Sequence, residues 1–322
     1  MNQSQAPVIE PVDVSLLEGE LTSHRFLRDT CKGGNKIYIV DAHTAPNVMR
    51  EIGRLREIAF RAAGGGTGME CDIDEFDTMD PPCRQLVVWD PVAREIMGGY
   101  RFIAGHDIRF NSDGSPRLAT SHMFSFSPEF IKNYLPYTIE LGRSFVRVEC
   151  QATRSGARAK ALYVLDNLWD GLGALTVVYP DMRYFFGKVT MYPGYNSECR
   201  NMILYFMFKH FPDADRLVLP ITPLNTDTDN EAMEKLFPGN SFKDDYRVLN
   251  KAIRDRGINI PPLVNAYMSL SPSMRMFGTA INTEFGDVEE SGIFFAIDEI
   301  FAEKKDRHIG TFLPSESNIC EP

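Results

Sequence analysis

Between Thr138 and Val178 the sequence passes once from strand to helix across a short loop, and that passage constrains the fold more than any other feature. Thr138-Ile-Glu-Leu-Gly-Arg-Ser-Phe-Val-Arg147 reads as a strand carrying an acid and an arginine, Glu140 and Arg143. Gln151-Ala-Thr-Arg-Ser-Gly-Ala-Arg158 follows, with Gly156 between Arg154 and Arg158. A helix is then predicted over 157–178, where Ala161, Leu165, Leu168, Leu172 and Leu175 form one apolar stripe and Pro180 follows as a stop. A loop that ends at a helix N-terminus presents unpaired N–H groups and a positive dipole end, so it suits an anion such as a phosphate.

The flanking elements can be read in the same way. Residues 1–20 look like an extended acidic arm, so 1–30 is set apart as an N-terminal arm and 31–322 as one domain. Strands are predicted at 36–40, 85–89, 95–103, 138–148 and 183–190, with 85–89 and 95–103 joined as a hairpin through Asp90-Pro91. Helices are predicted at 46–63, stopped by Gly64-Gly-Gly66, and at 196–211. A short strand at 216–219 comes next. The polar stretch 220–262 reads as an insertion with helices at 229–237 and 243–256, and 263–270 and 292–298 read as late strands. The resulting order is that of a single α/β (α+β) domain. Its central sheet is mixed and mostly antiparallel, flanked by helices, with the helical insertion before the last strands.

Composition removes several functional classes. A net charge of −10 argues against general nucleic-acid binding. The densest apolar run, Met202-Ile-Leu-Tyr-Phe-Met-Phe208, is too short to cross a bilayer, and Met1-Asn-Gln-Ser-Gln-Ala-Pro7 lacks the features of a signal peptide. The six cysteines include no C-x-x-C pair and read as free thiols in a reducing compartment, which predicts a cytoplasmic protein. Scattered histidines with no metal-ligand spacing predict no metal site, and the lack of a Gly-x-Ser-x-Gly elbow argues against a serine hydrolase.

Chemistry is concentrated in three groups. Glu140 and Arg143 are the first, read as catalytic; the plainer alternative is an ordinary ion-paired strand carboxylate. Strand alternation would turn their side chains to opposite faces, and a bulge at Gly142 would bring them to one. Asp74, Asp77 and Arg101 are the second. On their own they read as a solvated acidic loop beside a strand arginine. Arg147, Arg154, Gly156 and Arg158 are the third. From 143 to 160 five bases stand against the one acid Glu149, which suits an acidic partner.

Beyond these groups, several motifs recur together. They are Arg56-x-x-x-Phe60, Asp74-Glu-Phe-Asp77, Leu86-Val-Val-Trp-Asp90, Gly98-Gly-Tyr-Arg101, Glu140-Leu-Gly-Arg-Ser144, Leu168-Trp-Asp-Gly-Leu172, Phe185-Phe-Gly187 and Pro261-Pro-Leu-Val-Asn-Ala-Tyr267. In this order they resemble the ornithine-lipid and glycine-lipid N-acyltransferases, a GNAT branch once labelled hemolysins and related to the acyl-homoserine-lactone synthases. The chain departs from the ornithine-type pattern at Phe145, where a cysteine is common. The resemblance implies a GNAT fold whose anion-binding loop falls at 151–158. It implies transfer of a 3-hydroxylated fatty acyl group from acyl carrier protein, with acyl-CoA as the other donor, to glycine or, second, to ornithine. Amine attack on a thioester needs a base, and Glu140 is the candidate. Arg56, Phe60, Asp74, Asp77, Arg101 and Ser144 would shape the acceptor side. Arg147, Arg154, Gly156 and Arg158 would meet the phosphopantetheine. No permanently bound cofactor is implied. A second O-acyltransferase would complete the lipid, and peripheral contact with the inner membrane is left open, with His122-Met-Phe124 and Ser125-Phe-Ser127 as the segments in reach. The rivals are an acyl-homoserine-lactone-type signal synthase and a non-catalytic GNAT-like binding protein.

Overall fold

The computed structural model describes residues 5–151, 157–239 and 241–312, with side chains described outside 151 and 157–162. Ten strands and ten α-helices are described. Eight of the strands form one sheet in the order β1 (Phe26–Asp29), β2 (Lys36–Val40), β3 (Arg84–Asp90), β4 (Glu95–Ala104), β6 (Thr138–Val146), β7 (Tyr184–Met191), β10 (Val288–Ala296) and β9 (Arg275–Asn282). All neighbours are antiparallel except β6 and β7. That parallel pair needs a crossover, which the chain supplies as α5 (Ala157–Val178). β5 (Phe124–Phe126) and β8 (Val218–Pro220) form a separate two-stranded sheet.

Helices cover both faces. On one lies α2 (Pro46–Ala63), which starts with Pro46 in its first turn and ends at Gly64, whose φ of 95° is the left-handed geometry that glycine adopts most readily. It buries Val48, Met49, Ile52, Leu55, Ala59 and Phe60 against Val87, Trp89 and Phe145. On the other face Leu168, Leu172 and Leu175 of α5 pack over Leu86, Ile139 and Leu141. A Cβ on Gly171 would stand 2.6 Å from the Leu86 side chain, so glycine in the Leu-Trp-Asp-Gly motif lets the helix approach β3. The remaining helices α6 (Ser197–His210), α7 (Asn230–Leu236), α8 (Phe242–Arg254), α9 (Pro262–Met268) and α10 (Ala302–His308) complete this layer and the end of the sheet.

Three expectations are corrected. Segment 263–270 is not a strand; residues up to Met268 belong to the helix α9. Pro262 occupies its first turn, and Val264, Tyr267 and Met268 are buried at helical spacing, a short apolar cluster that fits either period. The late strand beside β10 is instead β9, 275–282. The arm is not extended throughout. Asp13 caps α1 (Val14–Glu20), which buries Leu17, and β1 pairs with β2 at the sheet edge. The short strand expected at 216–219 lies at Val218–Pro220, outside the main sheet. Among the described residues no helix is long and apolar enough to cross a membrane.

Candidate active site

The sheet opens at one place. β6 and β7 pair from Thr138 and Tyr184 to Leu141 and Gly187, then part, although β6 runs on to Val146 and β7 to Met191. The β6 ladder also shifts against β4. Arg101 faces Gly142, whereas Gly99 faces Phe145, so one extra residue is accommodated between. Arg143 takes it up with φ 48°, a left-handed value uncommon for a residue with a side chain. This is the bulge expected at Gly142, and it turns Glu140 and Arg143 to the same cleft. Arg101, Cys83, Thr120 and Lys188 also line that cleft. Its inner cavity is narrow, about 10 Å³, or about one water molecule.

Glu140 is buried, and its Oε1 accepts a hydrogen bond of 2.7 Å from the Thr120 hydroxyl. Burial raises its pKa above the ordinary carboxylate value, against the pull of Thr120, Arg101 and Lys188. The carboxyl therefore holds a proton more strongly than an exposed glutamate, as a general base requires. Cys83 is a different case. Burial pushes its thiol up to about 12, so at neutral pH it is a poor nucleophile.

Behind the cleft, acids hold the arginines. Asp74 caps α3 (Glu75–Thr78) by accepting from the Phe76 and Asp77 amides, while the Asp77 carboxylate accepts from the Asp74 amide. This reciprocal cap aims both carboxylates inward. Arg101 Nη1 lies 2.6 Å from Asp74 Oδ1 and 3.3 Å from Asp77 Oδ2. Arg143 Nη2 lies 3.2 Å from Asp74 Oδ2, its Nε is 3.1 Å from Asp72 Oδ2, and its guanidinium sits 4.5 Å from the centre of the Phe285 ring. Burial would raise the Asp74 pKa, but Arg101 outweighs it and holds the carboxyl well below the usual range. Asp72 goes the other way, pushed up by complete burial against the pull of Arg143 and Arg56.

On the β7 side, Lys188 pairs with Glu290, which also accepts from Thr190 Oγ1 and Asn282 Nδ2 at 3.1 Å each. Burial lowers the Lys188 pKa, with Glu290 opposing it. The buried Glu290 carboxyl is nevertheless lowered, because Lys188 and Asn282 favour its charge.

Known proteins give this geometry a family. Residues 55–159 match an acetyltransferase (GNAT) domain. A glycine N(α)-acyltransferase of Bacteroides thetaiotaomicron is 63% identical over 314 residues, 98% of this chain and 93% of that protein. The chain belongs to this family of GNAT acyltransferases. A second member, the glycine N(α)-acyltransferase of Phocaeicola vulgatus, is 58% identical over 95% of this chain and 93% of its own length. Among solved structures the AHL synthase LasI aligns over 88% of this chain and all of its own, at 11% identity and a TM-score of 0.39. The chain is therefore an acyltransferase enzyme with N-acyltransferase activity.

The residues singled out in the sequence divide into three sets. Glu140, Arg143 and Arg101 meet at the cleft, with Asp74 and Asp77 behind them. Arg56 and Phe60 support them from α2. Arg56 is wholly buried, with Nη1 3.2 Å from Asp77 Oδ2 and Nη2 on Gln85, and Phe60 packs edge-on against Phe285 beneath Arg143. The others stand apart. Ser144 follows the bulge and turns to the opposite face, where it and Tyr267 hydrogen-bond the buried Tyr100 hydroxyl. Arg147 pairs with Glu95 and Glu149 at 3.1 Å. Arg154 and Gly156 lie outside the described residues, as does the side chain of Arg158. Sequence reasoning missed Lys188, Glu290, Asp72 and Thr120. Lys188 had left a signal as the one charge in the strand Tyr184–Met191; Thr120 left none.

Proposed function

We propose that this chain moves a 3-hydroxy fatty acyl group from the phosphopantetheine thioester of acyl carrier protein to the amine of glycine. The observation that carries the reading is the bulge at Arg143, which sets a buried glutamate with a raised pKa beside three cations where the sheet opens. Glu140 takes a proton from the amine, directly or through the water that the cavity can hold. The amine nitrogen bonds to the carbonyl carbon, the C–S bond breaks, and the proton passes to the departing thiolate. Among the described residues the β6–β7 ladder ends at Leu141 and Gly187, and the β6 amides that face β7 just beyond it, at Gly142 or Arg143, donate to the developing oxyanion. Attack is direct: burial raises the Cys83 pKa and disfavours the thiolate that an acyl-enzyme would need.

Glycine is favoured over ornithine on two grounds. The relatives at 63% and 58% identity carry the name glycine N(α)-acyltransferase. Among the described residues Glu140 is also the one acid lining the cleft, whereas ornithine brings a second ammonium that would need its own. Acyl carrier protein is favoured as donor by the cluster of Arg154, Arg158 and Lys160 in the sequence. The 3-hydroxyl would then be the site for a separate O-acyltransferase, acting at the membrane surface where such a product partitions. Lipid profiling by mass spectrometry, in a host that lacks amino-acid lipids, tests the reading. Expression should yield N-acylglycine. N-acylornithine alone would refute the acceptor, and no new lipid would refute the reading.

A further inference from the structure

Lys188 has no part in the reaction as derived so far, yet it lines the cleft beside Glu140. The parallel register pairs Glu140 with Phe186. Lys188 is two residues further on, so it points to the same face, about 7 Å along the strand. Its side chain is 9% exposed. Among the described residues its ammonium hydrogen-bonds Glu290 alone, leaving two of its three N–H donors for the cleft. Glu290 in turn is held by Thr190 and Asn282, which fix the position of the lysine.

The other two cations at the cleft each have two carboxylate neighbours, whereas Lys188 has Glu290 alone among the described residues. Arg101 is shared between Asp74 and Asp77, and Arg143 between Asp72 and Asp74. An α-amino acid presents its amine and its carboxylate one carbon apart. With the amine at Glu140, the carboxylate reaches along the open side of the fork toward β7.

We propose that Lys188, held by Glu290, is the acceptor's carboxylate-binding residue and so selects α-amino acids over simple amines. This rests on the glycine reading above and adds a named subsite to it. A desolvated ammonium that loses its anion forfeits a charge-assisted hydrogen bond, about tenfold to a hundredfold in binding.

The test compares glycine with glycinamide, which keeps the amine and replaces the carboxylate by a neutral amide. Lys188→Met alone would strand the buried Glu290 charge, so the double variant Lys188→Met/Glu290→Gln removes both charges together. The ratio of kcat/KM for glycine to that for glycinamide should fall about tenfold to a hundredfold from the wild-type value, through a higher KM for glycine. Glycinamide turnover should persist. If the double variant does not fold, Lys188→Arg keeps the charge but changes the head-group geometry, and it should raise KM for glycine and not for glycinamide. Equal changes for the two acceptors in the variant that folds would overturn the assignment. A wild-type enzyme that makes no N-acylglycine would instead refute the underlying reading.

Discussion

Thr120→Val tests how Glu140 is tuned. Thr120 is 1% exposed, and its hydroxyl donates to Glu140 Oε1 at 2.7 Å. Valine keeps the shape and removes the donor. A hydrogen bond to a charged group contributes about 1.5–3 kcal/mol. The Thr120 bond favours the ionised carboxylate, so its loss raises the Glu140 pKa beyond what burial already does. The base form dominates above that pKa and disappears as pH falls through it. In the variant the acid limb of kcat/KM therefore moves to higher pH. At a fixed pH on that limb, kcat/KM drops about tenfold to a hundredfold, the equilibrium equivalent of the lost bond. At the basic plateau the two enzymes should nearly coincide. The assay is the pH profile of kcat/KM with glycine, with wild type run in the same buffers so that titration of the substrate amine cancels. A limb that stays in place or moves to lower pH would refute Glu140 as the titrating base.

Two further outcomes follow from the pairings around the cleft. Asp77→Asn should cost about 3–5 kcal/mol of unfolding free energy in a urea titration, because it leaves the wholly buried Arg56 without its carboxylate; a loss below about 1 kcal/mol would show that Gln85 alone satisfies the arginine. Arg154→Glu with Arg158→Glu should weaken binding of acyl carrier protein about tenfold at low salt, with the difference shrinking as salt rises. Unchanged affinity in calorimetry would remove this segment from the carrier interface.

Much of the architecture was legible because long elements carry an unambiguous period. α2 and α5 match their predicted bounds, 46–63 and 157–178, since each repeats its apolar stripe over several turns and ends at a stop signal. Val264, Tyr267 and Met268 span little more than one helical turn, too few to separate helix from strand, and Pro262 in the first turn is the cue that favours a helix. At the site, the Gly142 bulge was legible because an acid and an arginine three apart cannot share a face of a regular strand. The burial of Asp77 and its pairing with Arg56 were not. An acidic residue in a polar run reads as solvated, and only the capping box and the approach of Arg56 and Arg101 bury it completely. Thr120 and Glu290 reach the cleft through long-range contacts with Glu140 and Lys188 that no local pattern encodes.

Single-turnover formation of N-acylglycine by Glu140→Gln tests the central claim most directly. The substitution keeps the shape of the side chain and removes the base. With glycine and acyl thioester saturating, the rate should fall about 10²- to 10⁴-fold, with thermal unfolding close to that of wild type. A folded Glu140→Gln enzyme within a few-fold of the wild-type rate would contradict the account.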